Sequence, residues 1–138
     1  GEELHPPSSI ARMKSGEQLD DSARRPWLAA IVRRAEIAVA NGDSLIVACS
    51  ALKQSYRDQL RSIAVPVYFV FLEGSQALIE TRLANREGHF MPSQLLRSQF
   101  DDLQSPVGEE GVISVDIDQS VESVCQKALS GLKKLTAE

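Results

Sequence analysis

Three short apolar runs alternate with helical patterns along this chain, and this alternation limits the folds that the chain can adopt. The runs cover residues 44–49, 67–72 and 112–117, and each is predominantly apolar. Continuous apolar runs of this length are typical of strands buried on both faces of a parallel sheet. Because helical patterns separate the runs, the sequence predicts an α/β fold with a parallel sheet and right-handed crossovers.

Apolar residues recur at helical spacing between these runs, and capping residues mark several of the helix ends. The predicted helices are a short one at 10–15, a long one that follows caps at 20–22 and ends before 41–43, and others at 51–63, 75–86, 92–103 and after Ser120. Residues 1–8 are predicted to be a loop. Ligands of parallel sheets bind beyond the carboxyl ends of the strands, so a site is expected near residues 50–57, 73–75 or 118–120.

The size and composition of the chain exclude several classes of function. Its 138 residues are enough for one domain with a sizeable core, and 43% hydrophobic and 25% charged residues are typical of globular proteins. The net charge of −4 argues against a nucleic-acid partner. No apolar stretch approaches the roughly 18 residues that a membrane span requires, so no membrane partner is expected. Two cysteines without a disulfide pattern fit a reducing cytoplasm.

The stretch from Arg82 to Met91 carries the strongest indication of function. Arg82 and Arg86 are four residues apart, so on a helix their guanidiniums lie on the same face. A Gly-His-Phe-Met sequence follows them. Two parallel guanidiniums suit a phosphate chain, although a solvated basic helix face has the same spacing.

A second cationic pair follows the first apolar run. Lys53 and Arg57 are one helical turn apart, and Ser50 is placed to cap the helix that carries them. A helix N-terminus attracts anions, so a small carboxylate bound there would meet the helix dipole and two cations. The alternative is an ordinary helix cap followed by a solvated basic stripe.

Three residues near the start of the chain are further candidates. Glu2 is placed to accept a proton from a substrate hydroxyl, and His5 either bonds a hydroxyl or ties down its own loop. Arg24 begins a helix, where a cation opposes the dipole, so either a substrate contact or an ion pair with Asp20 is expected to hold it. Two distant histidines without a Cys-x-x-Cys pattern do not form a zinc motif, and we predict no metal ligands.

Several blocks of the sequence, in order along the whole chain, resemble the gluconokinase family. The blocks are Leu4-His5-Pro6, Arg24-x-Pro26-Trp27-Leu28, Cys49-Ser50-Ala51-Leu52-Lys53-x-x-Tyr56-Arg57-Asp58, Arg82-x-x-x-Arg86-x-Gly88-His89-Phe90-Met91, Leu95-Leu96-x-Ser98-Gln99-Phe100 and Val115-Asp116-Ile117-Asp118-Gln119. The Cys-Ser-Ala-Leu-Lys and Gly-His-Phe-Met blocks are specific. The resemblance implies a three-layer P-loop kinase fold of the nucleoside-monophosphate-kinase type, with a lid at about residues 82–106.

The resemblance also implies an activity, and it implies which residues bind the nucleotide. Members of the family transfer the γ-phosphoryl group of ATP, with Mg²⁺, to D-gluconate; they are cytoplasmic and often homodimers. By position, Arg82 and Arg86 correspond to lid arginines that neutralise the transferred phosphoryl group. The segment at Asp118 and Gln119 corresponds to the part of the chain that runs past the adenine of ATP in such kinases.

The acceptor side follows in the same way. Lys53 and Arg57 correspond to clamps for the gluconate carboxylate, and His5 and Arg24 join them as substrate-binding residues. Glu2 stands where the family usually has an aspartate that faces the acceptor hydroxyl.

One family element is absent from these residues, namely the Gly-x-x-x-x-Gly-Lys-Ser/Thr loop that holds phosphates. Gly1 aligns after the family's second strand, so we expect the domain to lack the first two strands, and we expect no kinase activity from this chain alone. It is then either part of a full gluconokinase or a short non-catalytic binding or dimerisation module. The sequence upstream of Gly1 distinguishes these. A third alternative is a kinase for another small hydroxy acid such as shikimate.

Overall fold

The computed structural model describes residues 4–14, 19–86 and 92–137 of the chain. Within them, six helices and two strands follow in the order α1 (Pro7–Lys14), α2 (Asp21–Ala40), α3 (Gln54–Leu60), β1 (Phe69–Glu73), α4 (Gln76–Ala84), α5 (Ser93–Asp102), β2 (Val112–Asp116) and α6 (Val121–Thr136). None of these helices has the length and apolar character that crossing a membrane requires.

The two strands pair in parallel, which confirms the prediction of an α/β fold with a parallel sheet. Phe69 lies opposite Val112 at one end of the pair, and Glu73 lies opposite Asp116 at the carboxyl end. Helices α4 and α5 form the connection between the strands. Helix α6 then packs against β2, and a Cβ atom at Gly131 would lie 2.7 Å from the side chain of Ile113, so a glycine allows this close approach.

The prediction of a strand at residues 44–49 is wrong. This segment has no regular secondary structure, and its residues make no backbone–backbone hydrogen bond within the part of the chain that the structure describes. Val47 and Cys49 pack against the core, whereas Ile46 is 98% exposed. The apolar alternation therefore places one face of the segment on the core. A strand also needs a neighbouring strand to complete its hydrogen bonds, and no described segment supplies one.

The main hydrophobic core lies between α2 and α3. Trp27, Leu28 and Ile31 lie at helical spacing on α2 and meet Tyr56 of α3. Partly buried side chains surround them, namely those of Leu4, Val47, Cys49, Leu52 and Leu60. Helices α4 and α6 contain no buried residue by comparison, so the α2–α3 half of the molecule is the better packed one.

The helix ends confirm some predicted caps and correct others. Asp20 and Ser120 cap α2 and α6 through their side-chain oxygens, as predicted. Ser75, which was predicted to be the first residue of a helix, is instead the N-cap of α4. The helix predicted at 51–63 is shorter, since α3 starts at Gln54 and its N-cap is Lys53. The prediction that Ser50 caps this helix is therefore wrong.

Candidate functional site

A cavity of about 520 Å³ lies at the start of α2, and residues from three elements line it. The lining residues are Leu19, Asp20, Asp21, Ser22, Lys53 and Asp102. The start of α2 supplies the neighbouring aspartates, the N-cap of α3 supplies Lys53, and the last residue of α5 supplies Asp102. The cavity is therefore polar and lined by side chains of both charges.

A chain of hydrogen bonds fixes the charged groups of this cavity. Oδ1 of Asp21 accepts hydrogen bonds from Nζ of Lys53, at 3.0 Å, and from the Tyr56 hydroxyl. The Tyr56 oxygen in turn accepts a hydrogen bond from Nη1 of Arg24 at 3.1 Å. Arg24 also forms an ion pair with Asp102, with Nη1 and Oδ2 separated by 3.6 Å. Both cations are thus oriented by carboxylates, and Tyr56 links the two pairs.

The surroundings stabilise the charged forms of Asp21 and Lys53 and the neutral form of Tyr56. The hydrogen bond from Tyr56 and then that from Lys53 lower the pKa of Asp21 below its usual value. The same contact with Asp21 raises the pKa of Lys53. Burial, together with the hydrogen bond to Asp21, raises the pKa of Tyr56. At neutral pH the cavity therefore presents the carboxylate of Asp21 and the ammonium group of Lys53, and the buried Tyr56 behind them keeps its proton.

Arg24 finds a different ion partner from the one that the sequence suggested. Asp20 caps α2 by accepting the backbone N–H of Ala23 at 2.8 Å, and Arg24 pairs with Asp102 instead. Its side chain is only 7% exposed. The ion pair and the contact with Tyr56 offset the unfavourable position of a cation in the first turn of a helix.

Arg57 is buried in a cluster of its own, which does not fit the predicted carboxylate clamp. Its side chain is 2% exposed. Its Nε and Nη2 atoms donate to the Glu109 carboxylate at 3.0 and 2.6 Å. The remaining N–H groups donate to the carbonyl oxygens of Ala51, Leu52 and Gln104 at 2.8, 3.1 and 2.8 Å. All five guanidinium donors are therefore used within the protein.

Lys53 and Arg57 do not form the one-turn pair that the sequence predicted, for a local reason. Lys53 is the N-cap of α3 and has an extended backbone, so the two residues do not share a helix face. Arg57 instead holds the turn that carries Lys53. The backbone N–H of Gln104 donates to the carbonyl of Leu52 at 2.8 Å, and the side chain of Gln104 accepts from the N–H of Gln54 at 2.8 Å.

Glu109 is a residue of this cluster that the sequence reasoning missed. Hydrogen bonds from Arg57, and further contacts with Arg61, lower the pKa of Glu109 to about 2. Nη2 of Arg61 lies 2.8 Å from Oε1 of Glu109. The signal was weak in the sequence because the two partners are 52 positions apart. Tyr56 was missed as well, although its spacing of three residues from Lys53 brings the two side chains together.

His5 packs against the core and does not line the cavity. Its ring stacks on Trp27 with a centroid distance of 4.4 Å and an interplanar angle of 14°, and the residue is 8% exposed. This contact holds the first described residues against α2. Glu2, the candidate that faces the acceptor hydroxyl, lies outside the described residues.

A second cavity of about 600 Å³ lies at the carboxyl ends of β1 and β2, where parallel sheets bind ligands. It is lined by Glu73, Gly74, Ser75, Leu78, Asp116 and Asp118. Nη2 of Arg82 donates to the backbone oxygen of Gln119 at 3.3 Å, and this brings a cation near the turn after β2. Arg82 and Arg86 are both exposed. Among the described residues, neither arginine belongs to the lining of these two cavities.

The residues at this second cavity do not by themselves fit a triphosphate. Glu73, Asp116 and Asp118 carry negative charge, as phosphates do, and they would repel them. Across the described ranges, no group of three or more His, Cys, Asp or Glu side chains could hold a metal ion.

Comparison of the fold with solved structures defines the class of protein. A family model described as an AAA domain matches residues 3–109. The crystal structure of a gluconokinase from Sinorhizobium meliloti 1021 is similar with a TM-score of 0.87 and 44% identity, covering 97% of this chain and 75% of that one. An unliganded sugar kinase from Janibacter sp. HTCC2649 has a TM-score of 0.89 and 39% identity, covering 96% and 76%. The fold is that of a P-loop kinase.

Sequence relatives narrow this class. The chain is 42% identical over 135 residues to the thermoresistant gluconokinase of Escherichia coli strain K12, covering 97% of this chain and 77% of that protein. It is 40% identical over 129 residues to the gluconokinase of Gluconobacter oxydans strain 621H, covering 94% and 72%. The chain belongs to the gluconokinase family, which confirms the resemblance seen in the sequence.

Proposed function

We propose that this chain acts in the ATP-dependent phosphorylation of D-gluconate to 6-phospho-D-gluconate, and that the cavity beside Lys53 binds the gluconate. The observation that carries the proposal is the position of Lys53. Its ammonium group lies at the cavity, its side chain is 28% exposed, and Asp21 holds it at 3.0 Å. The names of the relatives agree with this acceptor.

The charges of the cavity suit a hydroxylated acid. An ammonium group has three N–H donors, and one of them bonds Asp21, so two remain for a substrate carboxylate. Asp102 lines the same cavity, and its carboxylate oxygens accept hydrogen bonds from hydroxyl groups. Arg24 stays buried behind Tyr56 and acts by orienting that side chain. We accordingly assign Arg57 to positioning the Lys53 turn, and His5 to packing.

Membership of the gluconokinase family supports ATP as the phosphoryl donor. P-loop kinases use ATP, usually with Mg²⁺. Arg82 and Arg86 stay proposed as lid arginines, and the 3.3 Å contact of Arg82 with Gln119 supports a common location for the lid and the adenine segment at Asp118. Glu2 stays proposed for the acceptor hydroxyl.

A pair of assays tests this function. D-gluconate is titrated into the 138-residue chain by calorimetry, and phosphorylation is followed in a coupled assay with ATP and Mg²⁺. We expect gluconate binding, but no turnover, because the sequence holds no Gly-x-x-x-x-Gly-Lys-Ser/Thr loop. The product of the whole reading frame is assayed in parallel. Turnover of gluconate by that product supports the proposal, and an absence of both binding and turnover contradicts it.

The choice of acceptor is tested by competition. Shikimate is added to the gluconate titration, and we expect it to compete weakly. A clear preference for shikimate over gluconate would contradict the gluconate assignment while leaving the kinase family intact. The homodimer and the cytoplasmic location stay predictions, and sedimentation of the purified protein is the direct measurement of the first.

A further inference from the structure

The two carboxylate oxygens of Asp21 are used unequally. Oδ1 accepts both the Lys53 ammonium, at 3.0 Å, and the Tyr56 hydroxyl. Oδ2 accepts no hydrogen bond from any side chain or backbone group in the described ranges. The side chain of Asp21 is 56% exposed and lines the cavity. The site therefore offers one free acceptor oxygen directly beside an ammonium donor.

We propose that Asp21 determines specificity by accepting a hydrogen bond from the hydroxyl group next to the carboxylate of the acceptor. This inference rests on the proposed function, in which Lys53 binds that carboxylate. A 2-hydroxy acid has an acceptor carboxylate and a donor hydroxyl on adjacent carbons. The Lys53–Asp21 pair presents the complementary order of groups, a donor and then an acceptor. An acid without this hydroxyl still places its carboxylate near Oδ2 of Asp21, but it donates no hydrogen bond to that oxygen.

Tyr56 and Arg24 fix the direction in which Asp21 accepts. Nη1 of Arg24 donates to the Tyr56 oxygen at 3.1 Å, so the Tyr56 proton is directed to Oδ1 of Asp21. Tyr56 is 4% exposed and belongs to the hydrophobic core, so the position of its hydroxyl is set by packing. The carboxylate is therefore held with Oδ1 engaged by the protein, which leaves Oδ2 for a ligand.

The experiment pairs a change in the protein with a change in the ligand. D-gluconate and 2-deoxy-D-gluconate are titrated by calorimetry into the wild-type chain, Asp21→Ala and the control Asp101→Ala. Asp101 is an exposed aspartate of α5 that does not line the cavity. We expect the wild type and Asp101→Ala to bind gluconate about 10-fold more tightly than the deoxy acid, since a hydrogen bond to a charged group is lost. In Asp21→Ala we expect this ratio to fall to about one.

The ratio cancels any effect of the substitution that both ligands share, including a change in the position of Lys53. Asp21→Asn keeps the size of the side chain and serves if Asp21→Ala unfolds; its ratio is also expected to fall, because the acceptor loses its charge. A 10-fold ratio that persists in the folded Asp21 variant would overturn this inference, as would a wild-type ratio near one. A wild-type chain that binds no gluconate would overturn the proposed function and this inference together.

Discussion

The α2–α3 region and the β1–β2 region differ in the burial and hydrogen bonding of their arginines. Arg57 in the first region is 2% exposed and uses all five of its donors on Glu109 and three backbone carbonyls. Arg82 in the second region is exposed, and within the described residues its side chain donates one hydrogen bond, to the backbone of Gln119. A buried arginine with every donor satisfied holds the protein together, whereas an exposed arginine remains available to an anion. Similar cationic motifs thus have different roles in the two regions.

The largest difference between the regions is expected in stability. Arg57→Ala removes the bidentate partner of the Glu109 carboxylate, which keeps only Arg61, and it removes the side-chain donor to three backbone carbonyls. Breaking a buried ion pair in this way costs about 3–5 kcal/mol. Arg82→Ala is the matched control and is expected to stay within about 0.5 kcal/mol of the wild type. Urea unfolding measures both. Equal losses in the two variants would show that the burial of Arg57 carries no special role.

A second, slightly smaller difference is expected for apolar side chains. Leu28 is 1% exposed in the core between α2 and α3, so Leu28→Ala is expected to cost about 2–5 kcal/mol. Leu129 on α6 is 53% exposed, and Leu129→Ala is expected to cost less than about 1 kcal/mol. The same unfolding measurement applies. A larger loss at Leu129 would mean that α6 is packed more tightly than the structure indicates.

The third and smallest effect is expected in the dependence of stability on acidic pH. The pKa of Glu109 is lowered from the usual 4.5 to about 2, so its contribution to stability is present above pH 4.5 and is lost as pH falls towards 2. Glu109→Gln is expected to flatten the fall in unfolding free energy across this window. Glu110→Gln, at the neighbouring exposed glutamate, is the matched control. An unchanged slope in Glu109→Gln would exclude this ion pair as a source of the acid sensitivity.

Features that depend on local sequence could be predicted. The caps at Asp20 and Ser120 follow from their own side chains, and the parallel pairing follows from apolar runs separated by helices. The segment at 44–49 shows where this reasoning stops. Its composition is that of a strand, but a strand also depends on a neighbouring segment, and its own residues do not reveal whether one is present.

The position of Lys53 could be predicted from the local sequence, whereas the partners of the cations could not. Lys53 lies at a cavity, as expected from its place after the first apolar run. The partners that define the roles of these cations are far away in sequence: Asp21 is 32 residues from Lys53, and Glu109 is 52 residues from Arg57. Spacing within one helix therefore could not distinguish the cation at the cavity from the cation in the interior.

The central claim is that Lys53 holds the carboxylate of gluconate at the cavity beside α2. Its most direct test is a calorimetric titration of D-gluconate into the wild-type chain, Lys53→Met and Lys127→Met, where Lys127 is an exposed lysine of α6. We predict that Lys53→Met binds gluconate at least about 10-fold more weakly and that Lys127→Met binds as the wild type does. A Lys53→Met variant that binds gluconate within about two-fold of the wild type would contradict the account.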